Sequence, residues 1–354
     1  MAKLALRARL LQSAEKYASA LPPNVHNGSS LSNSIPSRPP AVCLMGPTAC
    51  GKTRAAVELA ANGPFEIISV DSALVYRGMD IGTGKPDAAT LERAPHRLID
   101  IRDPADAYSA AEFRADCINA MQQIVGRGKI PLLVGGTMLY FKALRDGLAA
   151  MPSANAAIRQ KILDLAAAEG WGAVHQRLAV VDPHAAGRIH PNDPQRLQRA
   201  LEVYEATGIP LTEHHRAKPP GSDEDLPCEL VFFSMIPASR AQLHQVIAER
   251  FHAMLAAGLV AEVASLKQRD DLHPALPSIR SVGYRQVWEF LQGRCDYDTM
   301  VARGIAATRQ LAKRQHTWLR NWGQSEEILC TLGLEDVSNV KKRLKSRSIA
   351  CINW

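Results

Sequence analysis

Along the chain, short apolar runs alternate with stretches whose apolar residues recur at helical spacing. The apolar runs are Ala41 to Met45, Phe65 to Val70, Arg97 to Ile101, Ile130 to Val134 and Cys228 to Ile236. They have the length and bounding turns of buried strands. Between them, a helical pattern begins near Arg54 (Ala55, Ala56, Leu59, Ala60), and Ser109-Ala110-Ala111-Glu112 forms a capping box opening a helix through about Val125. Alternating strands and helices predict an α/β fold, a parallel sheet with its functional loops at the carboxyl ends of the strands. Near Pro152 the strand signals stop. Residues 153 to about 215 read as helices, one of them capped by Asp193 with Pro194 in its first turn. After the strand at Cys228, helices are expected from Arg240 to about Leu291 and from Thr299 to Leu319. Past Gly323 the pattern weakens into a basic tail (Lys341, Lys342, Arg343, Lys345, Arg347). The pattern divides the chain into an extension (1–40), a core (41–150), a helical insertion (151–220), a return to the core with basic helices (225–323) and a tail (324–354). In the extension, Met1 to Ala20 reads as a short basic helix (Lys3, Arg7, Arg9, Lys16) and Leu21 to Pro40 as a linker rich in Pro, Ser and Asn. Glu15 and the lack of a cleavage pattern argue against a transit peptide.

Composition narrows the classes. The 354 residues suffice for a large α/β domain plus a smaller unit, and 46% apolar residues supply a packed core. Seven scattered cysteines without a C-x-x-C pair predict reduced thiols, no disulfide frame and no zinc site. No run of eighteen apolar residues exists, so no segment is expected to span a membrane, and the expected setting is the cytoplasm. A net charge of +7 points to an anionic partner. From Arg280 to Arg320 there are eight Lys or Arg against three acids. Arg309, Lys313, His316 and Arg320 fall on one helical face with Trp318 and Trp322 nearby, a stripe able to neutralise phosphates and stack on unpaired bases. Arg196 and Arg199 form a smaller pair. A solvated basic face explains any one stripe, whereas two of them favour RNA or another polyanion. The histidines, His214 and His215 included, show no ligand spacing.

The candidate chemistry begins at Gly46-Pro47-Thr48-Ala49-Cys50-Gly51-Lys52-Thr53, which meets the phosphate-loop template at every fixed position and has the strand before it and the helix after it that the template needs. Inward-turned backbone N–H groups, the helix N-terminus and Lys52 would hold a polyphosphate, and the Thr53 hydroxyl is offered to Mg²⁺. Asp71, directly after the second strand, could bind magnesium, act as a general base or cap the following turn. Gly135-Gly136-Thr137 ends the fourth strand, either as a close-approach loop or as a plain strand-to-helix turn. Ile81-Gly82-Thr83-Gly84-Lys85-Pro86 looks like a second phosphate loop but lacks the four-residue spacer and a preceding strand.

Taken together, the phosphate loop, Ile68 to Leu74, Met79 to Pro86, Pro95-His96-Arg97, Gly135 to Tyr140, His190 to Arg196, Arg280 to Arg285 and Thr308 to Gln315 resemble the bacterial tRNA dimethylallyltransferases, in the family's order, from about Ala41 to Trp322. The resemblance implies a P-loop-type core and transfer of a dimethylallyl group from dimethylallyl diphosphate to the exocyclic amine of the adenine beside the tRNA anticodon. It implies Lys52 and Mg²⁺ on Thr53 at the leaving diphosphate, Asp71 as the base, and Thr137, Thr48 and Arg159 as diphosphate contacts. It carries contacts to the tRNA anticodon stem-loop onto Asp71, Ser72, Ala73 and Leu74; onto Gln195, Arg196, Leu197, Gln198 and Arg199; onto Arg280, Ser281, Val282, Gly283, Tyr284 and Arg285; and onto Lys313, Arg314, Gln315, His316, Thr317, Trp318, Leu319 and Arg320. Two departures stand out: Cys50 where Ser is usual, with activity expected to survive but with sensitivity to oxidation, and Gly84 where Ala is usual. A nucleoside or nucleotide kinase shares the cradle and sheet and is the rival reading, with an RNA-binding NTPase module behind it. A monomer is expected.

Overall fold

The computed structural model describes residues 38–149, 151–216, 226–333, 335–347 and 349. The basic helix and most of the linker expected before residue 38 lie outside them. Among the described residues, six strands form one sheet in the order β3-β2-β4-β1-β5-β6, and every pairing is parallel. The strands are β1 (Pro40–Met45), β2 (Phe65–Val70), β3 (His96–Arg97), β4 (Ile130–Gly135), β5 (Glu229–Pro237) and β6 (Glu326–Cys330). β1 shows why its apolar run is continuous. Ala41, Cys43 and Met45 enter one core and Val42 and Leu44 the other, so both faces are covered by helices.

Helix α1 (Lys52–Ala61) buries Ala55, Ala56, Val57 and Leu59 against the second core. α2 (Ala88–Arg93) is a short helix capped by Asp87. α3 (Ala110–Gly126) starts at the expected capping box, with Ser109 and Glu112 each bonding the other's backbone N–H. α4 (Met138–Asp146) follows β4 directly. Residues Ala156 to Arg216 then run as α5 (Ala156–Val181, broken at Gly170 with φ 83°), α6 (Pro183–Arg188), α7 (Pro194–Thr207) and α8 (Leu211–Arg216). They bury a small core of their own around Ile162, Val174, Leu178, Leu197 and Leu201. α7 is capped by Asp193 with Pro194 at its start, as the sequence indicates. After β5 come α9 (Arg240–Ala256), α10 (Leu259–Lys267), α11 (Tyr284–Leu291) and α12 (Tyr297–Arg320).

Two expectations are corrected. The third strand is not Arg97 to Ile101 but the two residues of β3. Leu98 and Asp100 have positive φ (62° and 56°), and the Asp100 carboxylate turns back to Lys85, so the chain cannot stay extended. The weak signals after Gly323 conceal real elements. In β6 only Ile328 and Cys330 face the core, as befits an edge strand, and α13 (Glu335–Ser346) buries Val340 and Leu344 beside α1.

At Gly135, β4 leaves no room for a side chain against β2. A Cβ on Gly135 would lie 1.9 Å from the Val70 carbonyl oxygen, a backbone atom held by the ladder. Gly135→Ala is therefore expected to cost about 2–3 kcal/mol as overpacking, read as a lower Tm by differential scanning calorimetry.

Candidate active site

The carboxyl ends of β1, β2 and β4 bring three sequence candidates together: the phosphate loop, Asp71 and Thr137. β1 and β4 are neighbours, yet the chain passes from β1 to β2 on the far side of β4. The crevice at their ends is thus a crossover point of the kind where open parallel sheets bind ligands.

The loop has the shape its template requires. Gly51 (φ 87°) and Ala49 (φ 65°) turn left-handed, and a Cβ on Gly46 would press on Cys50 Sγ at 2.7 Å and the Met235 carbonyl oxygen at 3.0 Å. Lys52 Nζ lies inside the loop, donating to the Pro47 carbonyl at 2.6 Å and lying 3.7 Å from Cys50 Sγ. Cys50 is completely buried, so the oxidation sensitivity expected of it meets a barrier: no path from solvent reaches the thiol in this state. The Thr53 hydroxyl, in the first turn of α1, is exposed. Among the described residues no three His, Cys, Asp or Glu gather as a metal cage. A lone hydroxyl fits a magnesium ion that takes its other ligands from a bound diphosphate and water, as Mg²⁺ commonly does.

Asp71 does cap a turn. Its Oδ1 accepts the N–H groups of Ala73 at 2.8 Å and Leu74 at 3.4 Å. That role does not exclude chemistry, because Asp71 also lines a cavity of about 120 Å³ whose walls include Thr48 and Ala49 of the phosphate loop. Thr137 is tied to the same turn, its Oγ1 accepting the Ser72 N–H at 3.1 Å. Gly135 to Thr137 forms the strand-to-helix turn into α4, and the close approach at Gly136 is to the protein itself, since a Cβ there would meet Gln315 Nε2 at 2.3 Å. Gln315 accepts the Thr48 N–H at 2.8 Å and donates to the Gly136 carbonyl at 2.9 Å, so it faces inward and joins the cradle to the end of β4.

Sequence reasoning missed Arg250. It extends from α9 into the cavity shared by Asp71 and the phosphate loop. Though the residue as a whole is exposed, its guanidinium lies against Gly84, where a Cβ would stand 1.8 Å from Nη2, and beside Met254. Desolvation of the head group lowers its pKa, and the Asp71 charge opposes that. Arg250 stays cationic, because an arginine has the highest reference pKa of the side chains. The only signal in the sequence was an Arg on a helix without an acidic partner. The rest of the cavity wall is mixed, with apolar Ile247, Phe251, Met254, Val282 and Leu311 beside the polar Thr83, Ser281, Thr308 and Gln315. If Arg250 holds the anion of a bound ligand, Arg250→Ala should raise the KM for that ligand and lower kcat, together about 10²-fold in kcat/KM, the magnitude of a lost charge-assisted contact.

The remaining candidates divide. Arg159 is not among the residues lining the cavity. Its guanidinium is bonded to the fully buried Glu202 at 2.9 and 3.3 Å, and Glu202 also binds Arg199 at 3.0 Å and the Asn155 N–H at 2.8 Å. These cations, with the bonded N–H, hold the Glu202 carboxyl below its usual pKa against the opposing effect of burial. Arg199 further donates to the Pro152 carbonyl at 2.9 Å. Gln195 and Arg196 are exposed on α7, Gln198 is partly buried, and Leu197 is fully buried within the helical core. Ser281, Val282 and Gly283 line the cavity, while Tyr284 is buried. Arg280 and Arg285 flank a surface groove beside Trp288 and Arg294. On α12, Lys313, Arg314, Thr317, Trp318 and Arg320 are exposed, His316 is partly exposed and Leu319 is buried. Arg309 leaves the expected stripe, donating to the His244 carbonyl at 3.2 Å, and Trp322 is buried under the Arg145 guanidinium. No helix among the described residues is long and apolar enough to cross a membrane.

A phosphate loop, a carboxylate and a cation around one part-apolar cavity, bordered by exposed basic segments, define a group transferase built on a P-loop core. The comparisons agree. The family description IPP transferase matches residues 74–322, and the chain belongs to that family. It resembles the full-length tRNA isopentenylpyrophosphate transferase of Bacillus halodurans (32% identity, 88% of this chain and 96% of that one, TM-score 0.63). It also resembles the tRNA isopentenylpyrophosphate transferase of Staphylococcus epidermidis (30% identity, 88% and 100%, TM-score 0.62). A eukaryotic dimethylallyltransferase acting on tRNA matches at 25% identity over 89% of this chain and 81% of its own, with a TM-score of 0.72.

Proposed function

We propose that this chain transfers a dimethylallyl group from dimethylallyl diphosphate to the exocyclic amine of an adenosine 3′-adjacent to the anticodon of tRNA, releasing diphosphate. The observation that carries the reading is the shared cavity: Thr48 and Ala49 of the phosphate loop, Arg250 and Asp71 line it together with the apolar side chains of Ile247, Phe251, Met254 and Leu311. The diphosphate occupies the loop, its charge met by the loop N–H groups, Lys52 and Arg250. The five-carbon chain lies on Ile247, Phe251, Met254 and Leu311. Breaking the allylic C–O bond places growing negative charge on the leaving oxygen, where preorganised cations act most strongly. A magnesium ion held by Thr53 and the phosphates would add further neutralisation. The adenine nitrogen is a weak nucleophile because its lone pair is delocalised into the ring, so its proton must leave as the new C–N bond forms. Asp71, held by the 73–74 turn through Oδ1 and lining the cavity, takes that proton. Thr137 fixes the turn through Ser72 and contacts the entering substrate. The target base leaves the anticodon-loop stack to enter. The exposed segments at Arg280, Arg285 and Lys313 to Arg320, together with Gln195 and Arg196, hold the RNA backbone. Arg159 and Arg199, joined through Glu202, serve that face by fixing the start of the helical segment.

The test uses purified protein, Mg²⁺, dimethylallyl diphosphate and unmodified tRNA, followed by digestion and mass analysis of nucleosides. One adenosine gaining one dimethylallyl mass, without RNA-stimulated ATP turnover, is the expected result. No gain, with phosphate released from ATP, would replace this reading by the kinase.

A further inference from the structure

The segment Ile81-Gly82-Thr83-Gly84-Lys85-Pro86 has the composition of a phosphate loop, and the structure shows what its backbone binds instead. The N–H groups of Asp80 and Ile81 donate to Glu262 Oε2 at 2.9 and 2.8 Å, and that of Gly82 to Oε1 at 3.2 Å. Such a run of inward N–H groups is an anion nest, here filled by the chain's own carboxylate from α10. The hydroxyl of Tyr284 donates to the same Oε1 at 2.5 Å, and this partner and burial both push the phenol pKa up. One carboxylate thus joins two segments that are about two hundred residues apart in sequence. Both line the cavity, the first through Gly82 and Thr83 and the second through Ser281 to Gly283. The foot of the loop is fixed separately, with Lys85 donating to the Tyr76 carbonyl and to Asp80 and Asp100. Its tip is closed internally by Thr83 Oγ1, which donates to the Met79 and Asp80 carbonyls, and is joined to α10 through Glu262. The tip also carries Gly84, on which the Arg250 guanidinium rests. Tyr284 opens α11 between Arg280 and Arg285, and a Cβ on Gly82 would strike its ring at 2.5 Å.

The geometry points to Glu262 as a positioning residue for transfer: it sets the spacing between the 80–84 loop, against which the Arg250 guanidinium of α9 rests on the diphosphate side, and the 280–285 segment, on the RNA side. This rests on the prenyl-transfer reading above. Loss of four charge-assisted or hydroxyl bonds removes the tie between the two segments, each of which keeps its internal bonds, and a displacement of about 1 Å in such a site costs on the order of 10² in rate. Glu262→Gln can keep three of the four partners: its oxygen accepts from Asp80 and Ile81, and its amide donates to a turned Tyr284 hydroxyl.

The experiment compares wild type, Glu262→Ala, Glu262→Gln and Tyr284→Phe, each held at a temperature where circular dichroism shows it fully folded. Steady-state kcat and both KM values are read, and inorganic diphosphate binding is followed by calorimetry without RNA. Expected are a kcat lower by about 10²-fold for Glu262→Ala, weaker diphosphate binding, and recovery to within about tenfold of wild type in Glu262→Gln. Tyr284→Phe should lose several-fold in kcat. Glu262→Ala within twofold of wild type in all constants overturns the proposal, as does equal impairment of the Ala and Gln variants. If Glu262→Ala does not fold, an unimpaired Tyr284→Phe overturns it. A wild type that transfers no prenyl group instead sinks the transfer reading, and diphosphate binding alone then still tests the pin.

Discussion

Asp71→Asn is expected to leave tRNA almost unmodified while both substrates still bind. Asparagine can keep the bonds from the Ala73 and Leu74 N–H groups through its carbonyl oxygen, so the turn and Thr137 stay in place. What it loses is a site for the amine proton. Removing a general base costs about 10²–10⁴ in kcat, and KM for dimethylallyl diphosphate should change little, because in the proposed arrangement the phosphates are held by the loop N–H groups, Lys52 and Arg250. Single-turnover prenylation of tRNA, scored by nucleoside mass, reads the loss. Transfer at more than a tenth of the wild-type rate would reduce Asp71 to the cap that its hydrogen bonds also describe, and the proton would have to leave to water.

Lys52→Ala is expected to give the second large effect, divided differently. Lys52 Nζ is held inside the loop by the Pro47 carbonyl. A diphosphate entering the loop competes for that ammonium, which then follows the charge as it grows on the leaving oxygen. Loss of one preorganised cation is worth about 10²–10³ in kcat, accompanied by a higher KM for the diphosphate and an unchanged Kd for tRNA measured by filter binding. A Lys52→Ala protein with normal kcat and only a raised KM would place the ammonium in ground-state binding alone.

Much of the site was legible because its signals are local. The phosphate loop is a contiguous eight residues, and its flanking strand and helix follow from a continuous apolar run and a period-3.6 pattern that neighbouring residues alone create. Asp71 and Thr137 were found as the residues just past strands, since a parallel sheet puts those ends on one edge. Arg250 was not legible: on α9 it is one more arginine, and only the fold carries it beside Asp71 and over Gly84. The same limit explains Gln315, which the family resemblance groups with RNA contacts but which turns inward to Thr48 and Gly136. Arg309 shows the reverse error, a residue on the right helical face whose head group is taken by the His244 carbonyl. The segment at 81–86, set aside in the sequence for want of a spacer and a preceding strand, does turn its N–H groups onto an anion, and only the fold shows that this anion is Glu262.

By itself the sequence determined the α/β class, the cradle, the strand-end carboxylate and hydroxyl, and the basic segments, because each depends on spacing within a few turns of chain. The tertiary structure alone decided which of these share a cavity, that β6 and α13 complete the sheet and its second core, and which charges are spent on internal partners. Those are questions of distance between segments far apart in sequence, and such distances are set by how the helices pack on the two faces of the sheet rather than by any local pattern.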